Sequence, residues 1–421
     1  MTTVIKDNDL KSQKFDSLFN HKDYAAYHNF MLSLRTESTQ KIYSFYLFKF
    51  LSYNRNYGNL SLDQILSINP KELEASIIST IVKMKKEDNL STASTSQLLA
   101  SLNHFFAIND VLLNRKKISK FIGEHENKYE YRSYTREEIS RLLSLLDERG
   151  KAAVLVMASS GMRVGGLVEI RLKHLQKKII GETGSRYLYK IIVYGSSSKH
   201  RYITFCSPEA AKAIDEYLEM RRRYGENLVQ DGETGRWSPG ETPLIIRQFD
   251  KDARVHKILP LTPTAVSAKI IVPKLRQLGI RGKNNVLDSA GIKRAPGLYR
   301  YELHPCHSLR IFAVTQMQGA RIDKTIREML VGHSTGLDSV YYKPHEEQLL
   351  EEYSKSIDYL TINNEHRLQK QLDHYRSKSE EIQDIRQQLD KNYEAKIESI
   401  KTEMENKFKQ LFEKINPTKL Q

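Results

Sequence analysis

The chain has 421 residues, 66 Lys and Arg against 51 Asp and Glu, and a formal net charge of +15. Its 39% hydrophobic content can build two or three cores of ordinary size, which excludes a disordered chain. No apolar run approaches the ~20 residues of a membrane span, and two cysteines, Cys206 and Cys306, support neither a disulfide framework nor a four-thiolate zinc site.

The first residues (MTTVIKDNDLKSQKF) are polar and carry no apolar export region, so a reducing, cytoplasmic setting is expected. Residues 1–19 read as a flexible arm. Residues 20–125 follow as a basic, all-helical domain. Within it Tyr43, Phe45, Leu47, Phe50 and Leu51 form an apolar cluster, and Asn54-Arg55-Asn56 breaks a helix. The stretch 92–106 opens with Ser and Thr and turns apolar, as a capped helix does.

The charged stretch 124–133 lacks apolar periodicity, and residues 126–133 read as a linker. Thr135 with Glu138 three residues on forms a capping box, which opens a second domain over 134–362. The helix it starts shows Ile139, Leu142, Leu143 and Leu146 on one face. An apolar helix ends near Ala158, and Ser159-Ser160-Gly161 lets the chain turn.

The run Tyr187–Tyr194 is β-branched and aromatic and predicts a strand; Gly195–Ser198 is a turn and Tyr202–Phe205 the returning strand. Ser207-Pro208 caps a helix to about Arg223. Residues 225–240 and 279–298 read as Gly-rich loops, with helices again from about Cys306 to Leu360. Gly332 is a plausible C-cap for a helix over 322–331.

Residues 363–415 predict one long amphipathic helix with the character of a coiled coil, leaving 416–421 as a tail. Its apolar positions, from Leu372 to Ile415, are spaced mostly by threes, fours and sevens, with runs of 4-4-3, and Ser379 weakens the middle of the seam. The alternative is a helix packed on its own domain. The fold class is therefore mainly α with a small β-sheet: a helical N-terminal domain, an α+β second domain and a C-terminal long helix.

Charge adds a functional clue. From Thr361 to the end the chain has 12 basic and 11 acidic residues, so residues 1–360 carry 54 and 40, a net of +14. A basic body points to a polyanionic partner, with a separate role for the balanced tail.

The conspicuous polar residues of the second domain are individually bland. Arg163 after Gly161 could meet an anion or an ordinary ion pair. Lys199 beside a hairpin turn could reach a phosphate or simply be solvated. His307 and Arg310 share one helix face at i and i+3. His333 leaves a helix end, and Tyr341-Tyr342 follows, Tyr342 nine residues after His333.

Their order is more telling. GMRVGGL at 161–167, SSKHRYITF at 197–205, HSLRIFAVTQM at 307–317 and LVGHSTGLDSVYY at 330–342 together resemble the tyrosine recombinase (phage-type integrase) family. The double Tyr and the loops before His307 are most similar to archaeal and archaeal-virus integrases. The resemblance covers about 134–360 by motif, and 20–125 only by helical character, as the core-binding domain.

It implies a site-specific DNA recombinase that cuts and rejoins DNA through a 3′-phosphotyrosine, with no ATP, cofactor or metal. Tyr342 is then the nucleophile, with Tyr341 the alternative. Arg163 and Arg310 clamp the phosphate and His333 supports it. His307 donates a hydrogen bond or helps move the phenol proton, and Lys199 protonates the departing oxygen. The implied partners are double-stranded DNA, other copies in a tetramer on two sites, and an accessory or directionality factor; no membrane partner is expected. Two further readings stand beside it: a type IB topoisomerase-like relaxing enzyme, and a non-catalytic DNA-binding protein that kept the fold. Two departures from the family pattern remain. Gly166 stands where an acidic residue is common, with Glu169 a turn later, and Lys199 follows a G-S-S-S turn rather than sitting in G-K-G.

Overall fold

The computed structural model describes residues 24–57, 60–88, 90–124, 131–180, 186–232, 234–246, 259–280, 301–333 and 342–415. The chain divides into two compact units, 1–128 and 129–421.

The first unit is helical among its described residues. Its main helices are Tyr24–Leu32, Glu37–Tyr53, Pro70–Lys86 and Thr92–Ile108. Each start has a local cause: the Thr36 hydroxyl accepts from the Thr39 N–H, Pro70 follows Asn69 at the first helical position, and Ser91 accepts from Ser94. Leu47, Phe50, Ile77, Ile81, Leu102 and Phe105 are buried together, with Phe30 edge-on to Phe105 at 5.3 Å. Phe45, expected in that cluster, is 43% exposed, because its helix turns only one face inward.

In the second unit the capping box forms as the sequence requires, and Glu138 also takes a two-pronged contact from Arg132 at 2.7 and 2.8 Å. Arg132, inside the stretch read as linker, is thus anchored to the second unit. Its backbone N–H also donates to the Glu302 carbonyl. The helix Glu148–Ser160 is buried along almost its whole length and packs against Pro208–Arg223 and His307–Gly319. Beside it lies an antiparallel sheet of β1 (Leu175–Ile180), β2 (Arg186–Val193) and β3 (Tyr202–Phe205). Val193 faces Tyr202 in register, which makes β2 and β3 the hairpin anticipated from 187–205.

The sequence marks no strand at 175–180, where two lysines interrupt the apolar alternation. Nor does it mark the two-stranded ribbon of Val229–Gln230 with Trp237–Ser238, which lies inside the supposed loop 225–240. The Gly-rich stretch 279–298 falls outside the described residues from 281 on.

Arg221 is a fully buried cation. It meets Glu226 through two bonds of 2.6 and 2.7 Å and donates to the carbonyls of Pro243 and Leu244, both at 2.9 Å. Removing the carboxylate charge leaves that guanidinium uncompensated, so Glu226→Gln is expected to cost about 3 kcal/mol. Urea unfolding followed by the single tryptophan, Trp237, which is buried in this unit, reads that loss directly.

The C-terminal helix runs from Asn364 to Ile415. Glu209 accepts from the Ile362 and Asn363 N–H groups at 2.8 and 3.1 Å and fixes the chain just before it. Among the helix's described side chains, Leu372, Ile382, Leu389 and Ile400 are all exposed. No helix among the described residues is long and apolar enough to cross a membrane.

Candidate active site

The buried helix Glu148–Ser160 ends at Gly161, two residues later than the apolar run suggests. Gly161 sits at φ +67°, and its N–H returns to the Met157 carbonyl. A Cβ there would lie 3.0 Å from Val331 Cγ1 and 3.3 Å from Ala313 Cβ, so the left-handed turn and the close approach both favour glycine. The turn sends Met162 into the core and leaves Arg163 exposed at the cap of the short helix Val164–Glu169. Arg163 donates to the Gly332 carbonyl at 3.3 Å.

The helix His307–Gly319 begins where the sequence places it. His304, one turn earlier, caps it: its Nδ1 accepts the His307 N–H at 2.9 Å. The His307 ring is thereby left exposed beside Tyr131. Arg310, one turn on, is only 4% exposed. Its Nη1 donates to the Gly161 and Val331 carbonyls at 2.6 and 2.8 Å, and its Nη2 lies 2.6 Å from His333 Nε2.

Gly332, at φ +70°, turns the chain off the helix Lys324–Leu330, and the His333 N–H returns to the Glu328 carbonyl at 2.9 Å. The Glu328 carboxylate also meets His333 Nδ1. Because a guanidinium only donates, Nε2 accepts from Arg310, and the network assigns the ring proton to Nδ1, which donates to Glu328. Glu328 escaped the sequence reading because only the turn at Gly332 brings His333 back over it.

The electrostatics favour an anion. Arg163 and Arg310 repel each other, and burial together with Arg163 pulls the Arg310 pKa down. Among the described residues neither guanidinium bonds a carboxylate; Arg163 rests on the Gly332 carbonyl, and Arg310 on the carbonyls of Gly161 and Val331 and on His333. Burial first, and then the two arginines, lower the His307 pKa below the usual imidazole value, so the ring is neutral at pH 7.

Two tyrosines missed by sequence reasoning wall this corner. Tyr202 opens β3. Its buried hydroxyl has its pKa pushed up to about 12 by burial, a rise that the nearby Arg310 and Arg163 oppose. Tyr194 ends the β2 side of the hairpin at φ +53°. It explains the departure at Gly166: a Cβ there would lie 2.6 Å from Val193 Cγ1, with the Tyr194 ring beyond it. No acidic side chain fits. Glu169 is exposed and raises the Tyr194 pKa, second to burial, but forms no ion pair with Arg163 among the described residues.

The structure therefore brings together Arg163, Arg310 and His333 through the adjacent carbonyls of Val331 and Gly332 and the direct Arg310–His333 bond, with His307 in the field of the two arginines. Lys199 stands exposed in the β2–β3 turn, where Ser197 accepts the His200 N–H at 3.1 Å. Tyr342 is 42% exposed. Four residues later Glu346 ties the chain to the sheet through Lys178 at 2.7 Å and through Lys190. No contact joins Lys199 or Tyr342 to the arginine cluster among the described residues. Tyr341 lies outside them. Also among the described residues, no group of three or more His, Cys, Asp or Glu could hold a metal ion.

With that geometry in view, comparison places solved recombinases and integrases beside this chain. The XerH site-specific recombinase bound to a palindromic difH substrate, in a post-cleavage complex, is 17% identical, with a TM-score of 0.44 over 75% of this chain and 78% of that one. A lambda integrase tetramer bound to a Holliday junction is 14% identical, with a TM-score of 0.45 over 82% and 86%. The XerA recombinase is 18% identical, with a TM-score of 0.29 over 79% and 98%. No known family profile and no curated protein matches the sequence.

Gly332 offers a stability test of this arrangement. A Cβ there would enter the Tyr202 ring, 2.6 Å from its Cζ, on backbone that L side chains rarely adopt. Gly332→Ala is expected to cost about 2–4 kcal/mol from strain and overpacking together. Urea unfolding read by Trp237 measures it, and a cost under about 0.5 kcal/mol would contradict the packing described.

Proposed function

We propose that this chain is a tyrosine recombinase that cleaves and rejoins double-stranded DNA. The observation that carries the reading is the Arg163–Arg310–His333 cluster. It holds two guanidinium groups against carbonyl oxygens, with no carboxylate bonded to them among the described residues, in a strongly basic chain. Such a pocket is built for a phosphodiester.

A non-bridging oxygen entering the cluster takes N–H donors from both arginines and competes with His333 for Arg310. The Tyr342 oxygen attacks phosphorus and forms a 3′-phosphotyrosine while the bond to the 5′-oxygen breaks. The phenol proton passes to a base, for which neutral His307 is suited. Lys199 supplies a proton to the departing 5′-oxygen, which leaves as a hydroxyl. Each phosphoester made replaces one broken, so the reverse attack by a 5′-hydroxyl restores DNA without ATP. The pentacoordinate transition state carries extra negative charge, and the fixed arginines stabilise it more than the ground state.

Residues 20–125 serve as a DNA-binding domain, residues 126–133 as the connection, and 134–362 as the catalytic domain. Recombination between two sites calls for four copies, one per strand cut. Affinity should fall steeply with salt as Lys and Arg displace counterions.

The test is covalent trapping. Nicked duplexes tiled across the gene and its flanks are incubated with protein in EDTA and run on a denaturing gel. A slow adduct on particular tiles is the expected result. Tight binding with no adduct on any tile or on a supercoiled plasmid would overturn the enzymatic reading.

A further inference from the structure

We infer that the C-terminal helix is an interaction surface for a second copy of this chain, pairing with it as a parallel, right-handed coiled coil over residues 389–411. This stands independently of the DNA chemistry proposed above.

The exposed apolar side chains form one regular stripe. Leu389, Tyr393 and Ile397 are followed by Ile400, Met404 and Phe408, and then by Leu411. The steps are 4-4-3 twice, an eleven-residue repeat. That spacing, about 3.67 residues per turn, moves the seam only about 20° around the helix per eleven residues, in the sense that supercoils to the right. A strict heptad drifts about 20° per seven residues in the opposite sense and supercoils to the left. Each of the seven is between 48 and 65% exposed. An apolar stripe of this length on one helix is the mark of a missing partner.

The charges say which partner. Residues 389–411 hold five Lys and five acidic residues, a net of zero on a chain of +15, so this segment is not built to grip DNA. They flank the seam in pairs of opposite sign two residues apart. Glu394 lies on one flank and Lys396 on the other, then Lys401 and Glu403, then Glu405 and Lys407. In a parallel pair in register, opposite flanks of the two copies meet, within about 3 Å of the same height at 1.5 Å per residue. All three pairs are then complementary. An antiparallel pair centred on Ile400 would bring each flank against itself and set Glu394 beside Glu405 of the second copy.

The test uses the full chain without DNA. Light scattering should give about twice the 48.8 kDa chain mass. Met404→Asp should return the monomer mass. Lys396→Glu with Lys407→Glu makes both flanks acidic and should weaken the dimer at least tenfold. Adding Glu394→Lys and Glu405→Lys should restore it. Because Cys206 and Cys306 are both buried, introduced cysteines report orientation. Tyr393→Cys and Met404→Cys, made separately, should each form a disulfide-linked dimer on oxidation. A monomeric wild-type chain, a dimer indifferent to Met404→Asp, or a larger assembly would each overturn the proposal. So would crosslinking at no more than one of the two positions, which is the antiparallel result.

Discussion

Tyr342→Phe is expected to bind DNA as the wild-type chain does and to form no covalent adduct, lowering single-turnover cleavage by about 10⁴-fold or more. The phenol oxygen is the attacking atom in the account above, and phenylalanine keeps the ring without it. Tyr342 is 42% exposed, four residues before the Glu346 anchor. Tyr341→Phe should retain the adduct. Adduct retained by Tyr342→Phe and lost in Tyr341→Phe would keep the chemistry and move the nucleophile by one residue.

Arg310→Lys is expected to slow cleavage by about 10²–10³-fold, the scale of losing one fixed oxyanion donor. The guanidinium holds Gly161, Val331 and His333 with two nitrogens in one plane, which a single ammonium cannot reproduce. The same substitution loosens the joint between two helix ends, so the carbonyls of Gly161 and Val331 lose a buried donor at about 1–3 kcal/mol each if left unpaired. Single-turnover kinetics beside urea unfolding separates the two effects. Cleavage within tenfold of wild type would show that Arg310 is a structural cation and no part of phosphate recognition.

The contrast between these residues shows what the sequence makes legible. Local signals are reliable because their physics is local. Thr135 with Glu138 and Ser207 with Pro208 open helices where expected, since a side-chain oxygen and a backbone N–H three residues apart settle the matter. Gly161 and Gly332 are readable as turns, and His307 and Arg310 as neighbours on a helix.

Non-local partners are not readable in this way. Glu328 shows its part only when Gly332 folds His333 back over it. Tyr194 fills the space beside Gly166 only because β2 passes there. Strand β1 carries Lys177 and Lys178 in its middle and is recognisable only from its pairing with β2. The tail helix is legible throughout, since its period is written in its own residues. What pairs with it depends on another chain.

The most direct test of the central claim is the identity of the covalent bond. The trapped adduct would be digested with protease and nuclease, the nucleotide-bearing peptide sequenced by mass spectrometry, and the released strand offered to a polynucleotide kinase. The account predicts a nucleotide on Tyr342, joined through its 3′-phosphate, and a released strand labelled at a free 5′-hydroxyl. A nucleotide on a residue other than a tyrosine, or a 5′-phosphoryl linkage with a free 3′-hydroxyl, would contradict it.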